Sequence, residues 1–336
     1  MDLQNSKKSI LINIPTYNAQ YTIEETIDSI LQQTFQSFRI NVFDNCSTDR
    51  TLELVSSFND ERISIHRSDS NRGWSWNFGR CLTPSPEEFI LIAHADDIYH
   101  AQFLEMNVDT LISTEARLLF SAGVDFTGSL KIDYMTKTKE TPNVTIYDSY
   151  TGLIKKLILN GNFIYAPSLF SYTSDLGRIV KSFNSDCFYG SADLDAWLRF
   201  IKEEPIGVIE TPKIFFHRIS ERQTSYNELS SEKSVFVNCM ESHLLEAKID
   251  KETKDKLTSD LEWHNVLHDL TKFLISQNCE HFPSFKSFQG AICSSLSTAR
   301  RIKITALYIG ALVVKNGPKL WKKNASMFIM TFVMRA

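Results

Sequence analysis

Two adjacent carboxylates, Asp96-Asp97, follow the apolar run Phe89–Ala93, and a third, Asp44, closes the run Phe38–Phe43. Upstream, the polar string Pro15-Thr16-Tyr17-Asn18 follows the run Ile10–Ile14. Ligands of open α/β sheets collect outside the carboxyl ends of the strands, so these three loops are expected to converge on one edge. No G-x-G-x-x-G follows the first run and no G-x-x-x-x-G-K-[ST] occurs anywhere, which removes the usual dinucleotide and P-loop cradles and argues against a nicotinamide oxidoreductase or a P-loop kinase. An acidic edge stands in their place. It can hold a nucleotide diphosphate only through a divalent cation that offsets the like charges, and Asp96 and Asp97 are the natural oxygen ligands.

The elements that must position these loops read as βαβ units, and hence as a mainly parallel sheet with flanking helices. Ile10–Ile14 is the first strand. Thr22 and Glu25 form a T-x-x-E capping box ahead of Ile23, Ile27, Ile30 and Leu31, which share one helical face. Phe38–Phe43 is the second strand, residues 49–58 a second helix, Ile63–His66 a third strand and Phe89–Ala93 a fourth. Leu118–Ala122, Ile206–Glu210 and Ile214–Phe216 read as further strands, with a helix from Asp193 to Lys202. After residue 226 the β signals stop, and the leucines between 226 and 278 take helical spacing. The expected organisation is an α/β domain over 1–225 and a helical C-terminal region over 226–336.

Composition is compatible with a large core. Of 336 residues 43% are hydrophobic and 23% charged, with 12 Gly and 9 Pro, which excludes a disordered, collagen-like or low-complexity chain. The six cysteines are scattered without a C-x-x-C pair, so reduced thiols in a cytosolic protein are expected rather than a zinc site or a disulfide framework. The run after Lys7 and Lys8 is too short for a secretory signal. Charge is unevenly placed: residues 281–336 hold nine basic residues and no acidic one, leaving 27 basic against 40 acidic residues in 1–280, a balance of −13. Such a tail meets phosphate. Within 300–334, the apolar run Ile304–Val314 lies between Arg300, Arg301, Lys303 and Lys315, Lys319, Lys322, Lys323. It reads either as an amphipathic segment on an anionic membrane surface, as a buried helix of a C-terminal bundle, or as a short span. No nucleic-acid partner is expected.

Four motifs in order, Pro15-Thr16-Tyr17-Asn18, Asp44-Asn45-Cys46-Ser47-Thr48-Asp49, Asn71-Arg72-Gly73 with Asn77 and Gly79, and Ala95-Asp96-Asp97, resemble glycosyltransferase family 2, the inverting sugar transferases of GT-A fold, over roughly residues 9–110. More faintly, Ser191-Ala192-Asp193-Leu194-Asp195-Ala196-Trp197-Leu198-Arg199 and Arg218 with Gln223-Thr224-Ser225 are similar to later segments of that family. The resemblance implies a GT-A-like, Rossmann-like domain that binds a nucleotide diphosphate sugar, with a lean toward UDP or dTDP. Tyr17 would cover the base with its ring and Asp44 would accept a base N–H, in a pocket shaped by Pro15, Thr16 and Asn18; Asn71, Gly73 and Asn77 would line the donor site. Asp97, with Asp96 beside it, would bind Mn²⁺ or Mg²⁺ or orient the sugar and ribose, and Asp193 would be the general base. The implied acceptor is a hydroxyl of a glycan or lipid-linked oligosaccharide in bacterial surface-polysaccharide synthesis, O-antigen or capsule, at the inner face of the cell membrane.

This chain departs from the pattern twice. His94 stands where the family commonly has the first Asp of Asp-x-Asp-Asp, and Ala192 stands where Glu is frequent before the second acid. Both open the alternative of a non-catalytic sugar-nucleotide or polysaccharide binder. A nucleotidyltransferase is a further alternative, although its Gly-rich, basic first loop is missing. His94 is expected to satisfy a local hydrogen bond rather than to bind metal. His264 and His268, at i and i+4 without H-E-x-x-H, read as structural. Trp74 and Trp76 serve either a sugar or the core.

Overall fold

The computed structural model describes residues 8–128, 130, 133–219 and 234–275. The chain divides into two compact units, one of residues 1–150 and 164–221 and one of residues 151–163 and 222–336. The helix Tyr150–Asn160 therefore belongs, from Thr151 on, with the second unit.

In chain order the elements are β1 (Ile10–Thr16), α1 (Ile23–Leu31), β2 (Phe38–Asp44), α2 (Thr51–Ser57), β3 (Ile63–Ile65), α3 (Trp74–Arg80), β4 (Phe89–Ile92), β5 (Ile98–Tyr99), α4 (Phe103–Ser113), β6 (Leu118–Ser121), β7 (Gly123–Phe126) and β8 (Asn143–Tyr147). There follow α5 (Tyr150–Asn160), β9 (Leu169–Tyr172), α6 (Thr173–Ile179), α7 (Ser185–Phe188), α8 (Ala192–Phe200), β10 (Ile206–Thr211), β11 (Phe215–Arg218), α9 (Val235–Glu246) and α10 (Lys251–Ile275).

An eight-stranded sheet runs in the order β3-β2-β1-β4-β9-β6-β10-β8, and a three-stranded sheet in the order β5-β11-β7. The β3-β2-β1-β4 half is parallel, as is the β6–β10 pair. β9 enters antiparallel between β4 and β6, and β8 is antiparallel to β10. Every residue of β1 is buried, as expected of a parallel strand covered on both faces. Its one amide, Asn13, is satisfied: Nδ2 donates to the Cys81 carbonyl at 2.9 Å, and Oδ1 accepts from Asn41 Nδ2 at 3.2 Å. Register sets Thr16 beside Asp44 and Asn13 beside Ile92, so the chain leaves β1, β2 and β4 at the same edge.

Helix α1 buries Ile23, Ile27 and Ile30 in the core, while Glu24 and Glu25 in its first turn suit the positive end of the helix dipole. The expected capping box does not form. The Thr22 hydroxyl donates instead to the Ala95 carbonyl at 2.8 Å, and Glu25 pairs with Arg218. A nearby loop with a buried carbonyl and a buried guanidinium outcompetes a local cap, because leaving either unpaired inside costs more than the cap contributes.

In the second unit, α5 buries Leu153, Ile154, Leu157 and Ile158, α9 buries Val237, Met240 and Leu244, and α10 buries Leu257, Leu261 and Trp263. His264 donates from Nε2 to the Ile158 carbonyl at 2.7 Å and meets the Phe236 ring edge-on, a structural role. The His268 side chain and the segment 300–334 lie outside the described residues. Among the described residues, no helix is long and apolar enough to cross a membrane.

Candidate active site

The loops at the edge of the sheet are built by amides and hydroxyls. Asn18 and Cys46 sit at φ 49° and 67°, left-handed conformations that tighten the turns after β1 and β2. Asn18 N–H donates to Ser47 Oγ at 2.9 Å and Asn18 Oδ1 accepts from Thr48 N–H at 2.9 Å, which ties the two turns together. Asn45 Nδ2 donates to Asn71 Oδ1 (2.8 Å) and to the Gly73 carbonyl (3.1 Å), while its Oδ1 accepts from Arg72 N–H (3.1 Å). Asn77, buried, donates to the carbonyls of Phe43 (2.8 Å) and Thr16 (3.4 Å). Asn18 and Asn71 thus spend their side-chain oxygens, and Asn77 its side-chain nitrogen, on the loop framework. Tyr17 stands out, 47% exposed, at the mouth of this edge beside the buried Pro15 and Thr16. The Asp44 carboxylate is fully buried, accepts from Ser47 N–H at 3.1 Å, and lies 3.7 Å from Arg67 Nε. A carboxylate has about four lone-pair sites, so capacity for a further donor is left.

Gly73 caps α3 with φ 84° and ψ 163°, a region open essentially to glycine alone. A Cβ there would touch nothing within 4 Å, so only the backbone opposes a side chain. Gly73→Ala is expected to cost about 1–3 kcal/mol, read as a fall in Tm. An unchanged Tm would mean that the 71–73 loop relaxes to another backbone.

Past β4 the chain turns through His94-Ala95-Asp96-Asp97, and α1 and β11 hold that turn. Thr22 and Thr26 donate to the carbonyls of Ala95 and Asp97, each at 2.8 Å. Arg218 N–H donates to Asp97 Oδ1 and its Nε to the Asp96 carbonyl, again at 2.8 Å each. Donor atoms of His94, Asp96 and Asp97 lie within 4.8 Å of one another. In the same turn, Asp97 Oδ2 and His94 Nε2 are buried without a hydrogen-bond partner among the described residues. The expectation that His94 satisfies a local side-chain hydrogen bond is therefore corrected for Nε2: its backbone N–H donates to Tyr99 Oη at 3.2 Å, while its ring meets Phe78 edge-on at 5.1 Å.

Burial, reinforced by Asp96, pushes the Asp97 carboxyl well above the usual carboxylate range. Burial also pushes His94 down to about 3, with His217 adding to the effect. The donor set fits a divalent cation, since a cation supplies what both orphaned atoms lack and holds Asp97 ionised.

His217 was not legible as a site residue. Its Nδ1 lies 3.1 Å from Asp125 Oδ1, its register partner across β11 and β7. Burial opposes its charge, but the Asp125 bond and the charges of Asp97, Asp125 and Asp96 prevail and raise its pKa. Tyr165 Oη donates to the same Asp125 oxygen at 3.4 Å. A histidine beside Arg218 at the end of an apolar strand was the one available signal.

Helix α8 places two acids in its first turn, and the structure separates their roles. Asp195 accepts from Asn184 Nδ2 at 2.7 Å and from Arg199 Nε at 3.0 Å, which binds α8 to the segment before it. Asp193 Oδ1 accepts the backbone N–H of Leu194 at 2.7 Å, and burial outweighs that bond to push its pKa up to about 6. A row of rings joins α8 to the acidic turn: Trp197 to Phe183 (6.0 Å), Phe183 to Phe78 (5.9 Å) and Phe78 to His94 (5.1 Å). Ser75 Oγ and Ser185 Oγ meet at 2.7 Å on the same side. Trp74 joins this cluster through Phe78 and Tyr189, while Trp76 lies under Arg72 and Arg80.

Residues 11–176 match the family model described as glycosyl transferase family 2. This segment belongs to glycosyltransferase family 2. Among curated family relatives, the chain is 30% identical over 111 residues to the UDP-Glc:alpha-D-GlcNAc-diphosphoundecaprenol beta-1,3-glucosyltransferase WfgD of Escherichia coli, covering 33% of this chain and 44% of WfgD. It is 26% identical over 184 residues to the poly(ribitol-phosphate) beta-N-acetylglucosaminyltransferase TarS of Staphylococcus aureus, covering 51% of this chain and 31% of TarS. The matches thus span less than half the length of these relatives. The S. aureus TarS 1-349 structure in complex with UDP-GlcNAc superposes with a TM-score of 0.57 at 16% identity, over 97% of this chain and 90% of that one. The mannosyltransferase PcManGT of Pyrobaculum calidifontis, in complex with GDP-Man and Mn²⁺, gives 0.52 at 16% identity, over 91% of this chain and 86% of that one. The fold these matches show is GT-A.

Proposed function

We propose that the protein is a metal-dependent, inverting glycosyltransferase that moves a sugar from a uridine diphosphate sugar to a hydroxyl of a glycan or lipid-linked oligosaccharide, in the assembly of a bacterial surface polysaccharide. The observation that carries this reading is the turn after β4, where Asp97 Oδ2 and His94 Nε2 are buried and unpartnered beside Asp96. WfgD, by its name, uses UDP-Glc and a diphosphoundecaprenol acceptor, and TarS is solved with UDP-GlcNAc, which supports uridine over thymidine.

In this reading Tyr17 covers the base and Asp44 accepts its N–H at the ends of β1 and β2. Asp96 and Asp97 hold Mn²⁺ or Mg²⁺, which when bound offsets the charge of the leaving diphosphate. Asp193 takes the proton of the acceptor hydroxyl as its oxygen attacks the anomeric carbon on the face opposite the diphosphate. The carbon–oxygen bond to the diphosphate breaks in the same displacement, so the anomeric centre inverts. The basic segment 300–334 brings the enzyme to an anionic membrane face where a diphosphate lipid resides.

The test is thermal stabilisation by a panel of nucleotide diphosphate sugars with Mn²⁺, with Mg²⁺ and with chelator, followed by slow donor hydrolysis. One uridine donor at 100 times its Kd should add about 2.7 kcal/mol of stability, and only with metal. No shift with any donor under any metal condition overturns the donor site.

A further inference from the structure

The acidic turn holds two unmet needs at once. Asp97 Oδ2 and His94 Nε2 are each buried without a partner among the described residues, and an unmade buried hydrogen bond costs about 1–3 kcal/mol. Both atoms are of metal-ligating type, and one ligand atom from each of His94, Asp96 and Asp97 lies within 4.8 Å of the others. Two ligands bonded to one cation at about 2.0–2.2 Å lie at most about 4.4 Å apart, so the farthest pair of this set stands no more than a few tenths of an ångström beyond that reach. The histidine is also held in place: its backbone N–H donates to Tyr99 Oη at 3.2 Å, that hydroxyl donates to the Pro167 carbonyl at 2.8 Å, and the Phe78 ring stands edge-on to the imidazole.

We propose that His94 is a nitrogen ligand, through Nε2, to the cation bound by Asp96 and Asp97, and that it turns the site away from Mg²⁺ toward transition-metal divalent ions such as Mn²⁺. This rests on the metal-dependent donor site proposed above. Mg²⁺ demands oxygen ligands and sheds water reluctantly, whereas an imidazole nitrogen favours the first-row transition ions. A carboxylate at position 94 would add a third negative charge and an all-oxygen set. The neutral imidazole instead exchanges charge for selectivity.

The experiment uses the full chain loaded with Mn²⁺, with and without UDP, and reads nuclear modulation of the Mn²⁺ electron spin echo. The expected result is a ¹⁴N coupling that converts to a ¹⁵N pattern when only histidine is ¹⁵N-labelled. It survives His217→Gln, which tests the other nearby imidazole, and disappears in His94→Asp. In His94→Asp the ratio of Mn²⁺ to Mg²⁺ affinity, measured by competition, should fall at least about tenfold. The histidine-labelling result needs no variant and stands even if His94→Asp fails to fold. Bound Mn²⁺ without any histidine coupling, or a coupling lost in His217→Gln and kept in His94→Asp, overturns the role of His94 and leaves the donor site standing. Failure of the wild-type chain to take up Mn²⁺, with or without UDP, overturns the metal site itself and this inference with it.

Discussion

Asp193→Asn is expected to lower kcat by about 10³-fold, within the span of about 10²–10⁴ that a positioned general base contributes, while donor binding stays within a factor of a few. The reason is local. Asparagine keeps an oxygen to accept the Leu194 N–H that Asp193 Oδ1 takes at 2.7 Å, so the start of α8 is retained and only the proton acceptor is lost. The wild-type pH profile should carry the same signature. Burial raises Asp193 to about 6, so turnover should fall about tenfold per pH unit below that value and level off above it, and the variant should lose this inflection. Stability runs the other way. A carboxyl whose folded pKa lies above its ordinary 3.8 stabilises the fold fully below that ordinary value and loses the contribution as pH rises to about 6. A variant with unchanged turnover, or a profile without the inflection, would move the base to another residue. Asp195 is the poorer candidate, because Asn184 and Arg199 already occupy it.

The second large effect is at Asp97. Asp97→Asn is expected to abolish metal-dependent stabilisation by the donor and to lower kcat/KM by at least about 10³, equivalent to about 4 kcal/mol. The metal-free protein should melt no lower than wild type. Oδ1 accepts the Arg218 N–H at 2.8 Å, a bond an amide oxygen can keep, while burying a carboxylate beside Asp96 is a cost that the substitution removes. That pairing of outcomes, lost ligand response with retained or raised metal-free Tm, separates a binding group from a structural one. Donor stabilisation that persists in Asp97→Asn would remove this residue from the site.

The β1–β4 half of the large sheet was legible because its signals are local. β1, β2 and β4 are apolar runs of strand length, and α1 shows its Ile23, Ile27 and Ile30 stripe in the sequence itself. Polar residues directly after apolar runs then locate the edge. What could not be read depends on partners far along the chain. β9 is four residues, Leu-Phe-Ser-Tyr, and nothing in them says that they enter antiparallel between β4 and β6. Short α3 lies in a stretch whose two tryptophans point equally to a core or to a sugar, and its boundaries follow from Gly73 and from packing on Phe183. His217 acquires meaning only through the register that sets it opposite Asp125. Glu25 was misread for the complementary reason, since the local capping pattern was present but a guanidinium far along the chain claims the carboxylate.

Arg218 brings the acidic turn under the control of the order in which the polypeptide is made. It reaches back 121 residues to Asp97 and further still to Glu25, and β4 meets its second neighbour only when β9 exists. At a synthesis rate of about 5–20 residues per second, roughly 6–24 seconds pass between emergence of the carboxylates and arrival of the guanidinium that clamps them. Throughout that interval the nascent chain carries an apolar strand with one bare edge and two neighbouring carboxylates without their brace. The brace on the acidic turn is thus acquired late, and a ribosome that stalls before β11 leaves a chain with most of its large sheet and an unclamped turn.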